Sequence, residues 1–220
     1  MSEFESEPVK GLPERLPAGE VLLWQGQPSW QGLALRAFHV RKIAIYFGLL
    51  VIWRAVSGWL GGTSPSSVAV SLLWLLLLSL AAVGLSSLLA WLYSRTTVFS
   101  ITNRRVVMRY GVALPWSLNL PYSIVKSAAV SLHRDGTADI PLVLSGTGRV
   151  SYLHLWPFAR PWWINHPQAM LRSVPDGEHV AKILGGALKT HSETSPDGVI
   201  AMPVPRLDTS AGMPTSVAAA

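Results

Sequence analysis

Between Ala55 and Ser94 the chain runs for forty consecutive residues without an Asp, Glu, Lys, Arg or His. Inside that stretch lies VAVSLLWLLLLSLAAVGLSSLLAWLY (Val68–Tyr93), which exceeds the ~20 apolar residues that a bilayer-spanning helix needs. Lipid offers backbone N–H and C=O groups no partners, so such a segment must satisfy them within a helix. Just upstream, IAIYFGLLVIWRAVSGWL (Ile43–Leu60) is a second apolar run. The intervening GGTSPSS (Gly61–Ser67) carries the glycine, serine and proline of a tight reversal. The expectation is a transmembrane helical hairpin.

Charge around the hairpin orients it. Arg36, Arg41 and Lys42 precede the first span, Arg95, Arg104, Arg105 and Arg109 follow the second, and the connecting loop has no cation. Basic residues flank spans on the cytoplasmic side, so both termini are expected there in a multi-pass protein. The formal net charge of +6 is explained by this bias and by attraction to anionic headgroups. No nucleic-acid motif accompanies it, so membrane lipid is an expected partner and nucleic acid is not. The opening MSEFESEPVKGLPERLPAGE is acidic and lacks the basic start and apolar run of a secretory signal. With no cysteine in the chain, disulfides, thiolate metal sites and a cysteine nucleophile are excluded.

After the second span, TTVFSITNRRVVMRYG alternates β-rich runs about a turn at Asn103, which predicts a hairpin. Val98, Ser100 and Thr102 fall on one face of its first strand, Phe99 and Ile101 on the other. Further strands are predicted at Trp116–Leu120 and Ile124–Leu132, then a reversal at HRDGTAD, a strand IPLVLS, a turn GTGR and a strand VSYLHLW. Strands this short and closely spaced predict a sandwich or small barrel. In SVPDGEHVAKILGGALK, Asp176 is placed as an N-cap, and Val180, Ile183, Leu184, Ala187 and Leu188 share one helical face. The last segment is rich in Pro, Ser, Thr and Ala and lacks apolar periodicity, which predicts a disordered tail. The organisation expected is a cytoplasmic N-terminal segment (1–39), the transmembrane hairpin (40–93), a cytoplasmic β domain (94–189) and the tail (190–220). The N-terminal GEVLLWQGQPSW is expected to dock on the sheet, since Trp24 and Trp30 would otherwise be left exposed.

An opening GEVLLWQGQPSW (Gly19–Trp30), a membrane hairpin, TTVFSITNRRVVMRYG and strands capped by a helix together resemble the bacterial pleckstrin-homology-like (PH-like) domain family. Its ITNRR-V signature is matched by Ile101, Thr102, Asn103, Arg104, Arg105 and Val106. The resemblance implies an α+β membrane protein, in which a two-helix transmembrane hairpin precedes a PH-like antiparallel β domain closed by a C-terminal helix. LPERLPAGEVLLWQGQPSW, the hairpin and YLHLWPFARPWWINHPQAMLRSVPD (Tyr152–Asp176) are similar, more narrowly, to photosynthetic-complex assembly proteins of purple phototrophic bacteria. That likeness implies a non-enzymatic factor in the inner or intracytoplasmic membrane. Its implied partners are reaction-centre and light-harvesting subunits.

Two sets of residues are candidates for partner or membrane contact. LWPFARPWW joins Trp156, Phe158, Trp162 and Trp163 to Arg160, while Pro157 and Pro161 prevent a continuous helix. Such a segment suits a membrane interface or a protein hot spot. Equally, it suits a connector whose rings pack beneath the domain. Arg54 lies within the first span, where a cation costs about 2.5–3.5 kcal/mol at mid-depth. Snorkelling toward the headgroups beyond the membrane centre is the preferred reading; a bond to an acidic or carbonyl group of another transmembrane helix, a client's included, is the alternative. Small residues Ala81, Ala82, Gly84, Ser86 and Ser87 allow close helix approach, first of all within the hairpin. Homodimerisation is the default symmetric association. Lys126 and Arg104–Arg105 are read as solvated strand-edge and positive-inside charge rather than as a lipid site, since fold alone carries no ligand.

Catalysis finds little support, and no catalytic, cofactor-binding or metal-binding residue is expected. No two of His39, His133, His154, His166, His179 and His191 have the spacing of a helical metal motif. Asp135 and Asp139 flank a predicted turn, and SGTG (Ser145–Gly148) is neither a P-loop nor a nucleophile elbow. His39 or His154 as a lone ligand to a pigment magnesium has no supporting constellation. Three classes stay open: a membrane-anchored assembly factor, a generic PH-like adaptor with another envelope partner, and a membrane enzyme or pigment carrier.

Overall fold

A computed structural model describes residues 16–145, 152–164 and 167–194. Along the chain run β1 (Leu22–Gly26), α1 (Trp30–Arg36), α2 (Val40–Leu60), α3 (Pro65–Thr96), β2 (Val98–Thr102), β3 (Arg105–Tyr110) and β4 (Trp116–Pro121). Then come β5 (Val125–Ala128), β6 (Ser131–Leu132), β7 (Ala138–Leu144), α4 (Tyr152–Leu155), β8 (Met170–Val174) and α5 (Gly177–Thr194).

The hairpin is α2 and α3. Pro65 opens α3 at its first turn, where the missing N–H would be unpaired in any case. Both helices are long and apolar enough to cross a membrane. A core helix of a soluble protein passes the same test but is enclosed, whereas here Leu49, Trp53, Leu76 and Leu80 stand exposed. At about 1.5 Å per residue, the 21 residues of α2 reach about 31 Å and the 32 of α3 about 48 Å. A hydrocarbon core is about 30 Å thick, so α3 is longer than a bilayer crossing requires, and its last turns belong to the domain. There Ala90 is fully buried, Ser94 Oγ donates to the Pro28 carbonyl at 2.7 Å, and α1 packs alongside.

Every strand pairing is antiparallel. One sheet has the order β1-β2-β3-β4; in the other, β5 and β6 pair one edge of β7 and β8 pairs with it too. The β2–β3 hairpin turns at Asn103, as the alternation predicts, with Ile101 opposite Val106. Phe99, Ile101, Met108, Leu120, Ile140, Leu142 and Leu171 fill the core, and α5 closes it with Val180, Leu184, Ala187 and Leu188. Each buried Leu or Val contributes about 1.5–3 kcal/mol relative to an exposed one. The first turn of α5 approaches β7 so closely that a Cβ on Gly177 would sit 2.3 Å from that of Ala138.

Several expectations are corrected. The predicted strand at VSYLHLW is instead the short helix α4: Leu155 is buried while Leu153 and His154 are exposed, which is not an alternating pattern. The predicted strand Ile124–Leu132 is broken into a 3-10 turn (Tyr122–Ile124), β5 and β6. Its interruption faces Pro141 of β7, which has no N–H for the ladder; the Pro141 carbonyl instead accepts from the Ala129 N–H at 3.2 Å. All five residues of β2 are buried, so its two predicted faces are both covered. The N-terminal segment docks more firmly than expected but leaves Trp30 exposed. It supplies the edge strand β1, with Gln25 opposite Ser100, and α1. β8 went unpredicted because its five residues are uniformly buried and show no alternation. α5 continues to Thr194, past the domain end expected at 189. The predicted turn GTGR and all but the first five residues of the predicted tail lie outside the described residues.

Candidate partner and membrane contact site

The ITNRR signature is a clasp. Thr102 Oγ1 accepts the N–H groups of Arg104 and Arg105 at 3.2 and 3.0 Å and donates to the Arg105 carbonyl at 3.0 Å. Asn103 holds the incoming N-terminal segment: its Oδ1 accepts from the Val21 N–H at 3.0 Å, and its Nδ2 donates to the Gly19 carbonyl at 3.1 Å. Arg105 donates from Nε and Nη2 to the two carboxylate oxygens of Glu20, at 2.8 and 2.9 Å. The Glu20 side chain is only 2% exposed. Burial alone would raise its pKa, but the paired hydrogen bonds from Arg105 and the charges of Arg105 and Arg104 outweigh burial and hold it below the usual carboxylate range. Beneath the clasp, Tyr122 Oη donates to the Thr102 carbonyl at 2.6 Å; burial, then the Glu20 charge, raises the phenol pKa. Arg105 thus serves the fold, while Arg104 and Lys126 lie exposed.

The aromatic segment divides between the two roles read from its sequence. Phe158 is fully buried, edge-on to Phe99 and Tyr110 with ring centroids 5.4 and 5.6 Å apart. Trp156 meets Phe38 and Tyr93 edge-on at 5.2 and 6.0 Å, which joins the segment to the α1–α2 connection and the end of α3. Trp162 is 93% exposed, with Trp163 and Ile164 also exposed beside it. Arg160 lies over the Trp163 ring at 4.7 Å and donates to Gln168 Oε1 at 2.8 Å. Trp162 adopts a positive φ of 67°, a conformation unusual for a bulky residue. Below it, the buried Arg172 donates to the Pro157 and Ala159 carbonyls at 2.8 and 3.3 Å. Burial pushes that guanidinium below its ordinary pKa, with the Asp139 charge acting the other way. Glu20, Gln168 and Arg172 escaped the sequence reading because a lone polar residue carries no pattern until its partner is placed.

Arg54 bonds the other helix of the hairpin, as its alternative reading had it, but to a hydroxyl rather than to an acidic or carbonyl group. Its Nη2 donates to Ser71 Oγ on α3 at 3.0 Å, and Ser71 Oγ donates in turn to the Ser67 carbonyl at 2.8 Å. The helices meet closely here: a Cβ on Gly58 would lie 2.6 Å from Val68 Cγ2. Close approach is therefore at Gly58, while Gly84 has nothing within 4 Å of where a Cβ would stand. A second tie holds α1 to the β6–β7 turn, where Arg36 pairs with Asp135 and donates to Thr137 Oγ1 at 2.8 Å. Burial would raise the Asp135 pKa, but hydrogen bonds from Thr137 and Arg36 and the Arg36 charge hold it at about 2.

Among the described residues, no three His, Asp or Glu side chains are placed together to hold a metal ion. An open cleft of about 450 Å³ lies between Leu89 and Tyr93 of α3, the β3–β4 turn, and Leu153 and His154 of α4. His154 packs edge-on against Trp116 at 5.0 Å.

The bacterial PH domain family model matches residues 43–188. A Rhodobacter capsulatus protein described as an uncharacterized 23.7 kDa protein in the puhA 5' region is 36% identical over 186 residues, covering 84% of this chain and 87% of its own length. No solved structure matches. The match to the family model spans nearly all of the hairpin, strands β2 to β8 and most of the closing helix: the chain belongs to the bacterial PH domain family.

Proposed function

We propose that this protein is a non-enzymatic assembly factor for the photosynthetic reaction centre and its light-harvesting antenna, acting by direct contact with client membrane subunits. In this reading the hairpin sits in the inner or intracytoplasmic membrane with both termini cytoplasmic, as the flanking Arg and Lys residues suggest. The observation that carries it is the aromatic patch of Trp162, Trp163 and Ile164. These side chains are exposed, yet the patch is held by Arg160, Gln168 and Arg172 on a domain continuous with α3. Aromatic anchors in a fixed frame with an arginine beside them have the composition of a binding hot spot. Resemblance to the assembly protein PuhB, and the description of the R. capsulatus relative by its position 5' of puhA, point to the photosynthetic complex as client.

The test is a mild-detergent pull-down of the tagged protein from phototrophically grown membranes, with mass spectrometry and an absorption spectrum. Substoichiometric recovery of reaction-centre or antenna subunits is expected. Replacing Trp162 and Trp163 by Ala should reduce that recovery several-fold while the protein level in the membrane is unchanged. Recovery of unrelated envelope proteins would replace this reading with a generic membrane-anchored PH-like adaptor. Stoichiometric pigment would favour a carrier.

A further inference from the structure

The cleft between α3 and the domain is lined by side chains that no fold requirement explains. Leu114 is 71% exposed, Leu153 83% and Trp116 51%, and Val112 is exposed beside them. They come from two separate parts of the chain, the turn Gly111–Pro115 with the start of β4, and helix α4, and share the cleft with Leu89 and Tyr93 of α3. Neither contributor contains an acidic residue: the turn and strand start read GVALPW, and the other segment YLHLWPFARPWWI. The turn has a defined shape. Gly111 has a φ of 121°, and a Cβ there would lie 2.1 Å from the Leu114 carbonyl oxygen, so glycine is required to present Leu114 outward.

The depth of this cleft follows from α3. A hydrocarbon core of about 30 Å takes roughly 20 residues of helix at 1.5 Å each. Counted from Val68, the first residue of the continuous apolar run, that distance ends near Leu88. Leu89 and Tyr93 then sit where acyl chains give way to headgroups. An independent marker agrees: Trp91 is exposed on the same turns, with the Arg95 guanidinium 5.0 Å from its ring centroid, the aromatic and cationic pairing of a membrane interface. Residues that share a cleft with Leu89 and Tyr93 lie at that depth.

We propose that the turn Gly111–Pro115 and α4 are inserted into the headgroup–acyl boundary of the same bilayer that α3 crosses, so that the β domain lies seated on the lipid surface. The occupant of the cleft is lipid, because its apolar walls are continuous with the lipid-facing surface of α3. Trp116 and His154, packed edge-on, stand at the rim, where aromatic rings with a polar atom are favoured. Seating would fix the direction in which Trp162 and Trp163 face. The proposal rests on the hairpin crossing the membrane and is independent of the client's identity.

The chain has no cysteine, so single nitroxide labels can be placed at will. The full-length protein in nanodiscs of phosphatidylcholine and phosphatidylglycerol is labelled separately at Leu114→Cys, Leu153→Cys, Leu85→Cys in the span, and Leu132→Cys. Leu132 is exposed on a pocket lined by Asp176, Glu178 and Lys182. Collision rates with oxygen, which partitions into lipid, are compared with those for a nickel chelate, which stays in water. Labels at 114 and 153 are expected to resemble Leu85 in their oxygen-to-nickel ratio, several-fold above Leu132. Ratios at 114 and 153 equal to that at 132 would overturn the proposal, as would shielding from both quenchers, which would mean a protein or second copy in the cleft. A low ratio at Leu85 would instead remove the membrane-spanning reading itself.

Discussion

Single residues hold the N-terminal segment to the sheet, and the Glu20–Arg105 pair is the clearest case. Removing one partner of a buried ion pair leaves the other charge uncompensated at a cost of about 3–5 kcal/mol. Arg105→Met should therefore lower the unfolding midpoint in detergent far more than Arg104→Met, whose side chain lies exposed. The pH dependence has a definite sign. Glu20 and Asp135 both have folded pKa values below their unfolded ones, so their contributions are present above the unfolded values, 4.5 and 3.8, and are lost as pH falls through the folded ones. Thermal melts should lose stability on acidification below about pH 4.5. Asp135→Asn should flatten the part of that loss lying between 3.8 and about 2.

Elements meet at points where no side chain fits. α1 crosses β8 at Gly32, where a Cβ would lie 2.6 Å from Ser173 Oγ and 2.7 Å from its Cβ. Ser173 itself has little freedom to yield: its φ is 53°, its N–H donates to Asp139 Oδ1 at 2.7 Å, and its carbonyl accepts from the Ser29 N–H at 2.8 Å. Gly32→Val should lift α1 off β8 and cost about 1–3 kcal/mol, as overpacking does. Denaturant unfolding monitored by tryptophan fluorescence would measure it. Gly84→Ala, on an open helix face, is the control and should change little. This scale also shows what patterns can and cannot reveal. The β2–β3 hairpin and α5 were legible because one face of each carries a clear apolar period. β8 and the break between β5 and β6 were not, since they depend on burial from both sides and on the Pro141 carbonyl across the sheet.

For the whole molecule, the consequence of an over-long α3 is that the apolar hairpin and the domain have no linker between them. The Phe38, Tyr93 and Trp156 rings interlock where α1, α3 and α4 meet, and Thr96 passes into β2 across one residue. Hydrogen exchange in nanodiscs should find the Ala90–Thr96 amides as protected as those of β2 and β3. Fast exchange there would mean a hinged domain. Apolar length, flanking cations, strand alternation and the ITNRR turn determined a hairpin followed by an antiparallel domain with a closing helix, because these are local patterns that one stretch of chain carries by itself. Tertiary structure alone decided that residues before the hairpin complete the sheet after it, and that Arg105 and Asn103 exist to receive them. It also separated Phe158, in the core, from Trp162, in the open, within one short aromatic run. The physical reason is that burial and hydrogen-bond partnership are properties of pairs, and the partners here lie up to 101 residues apart.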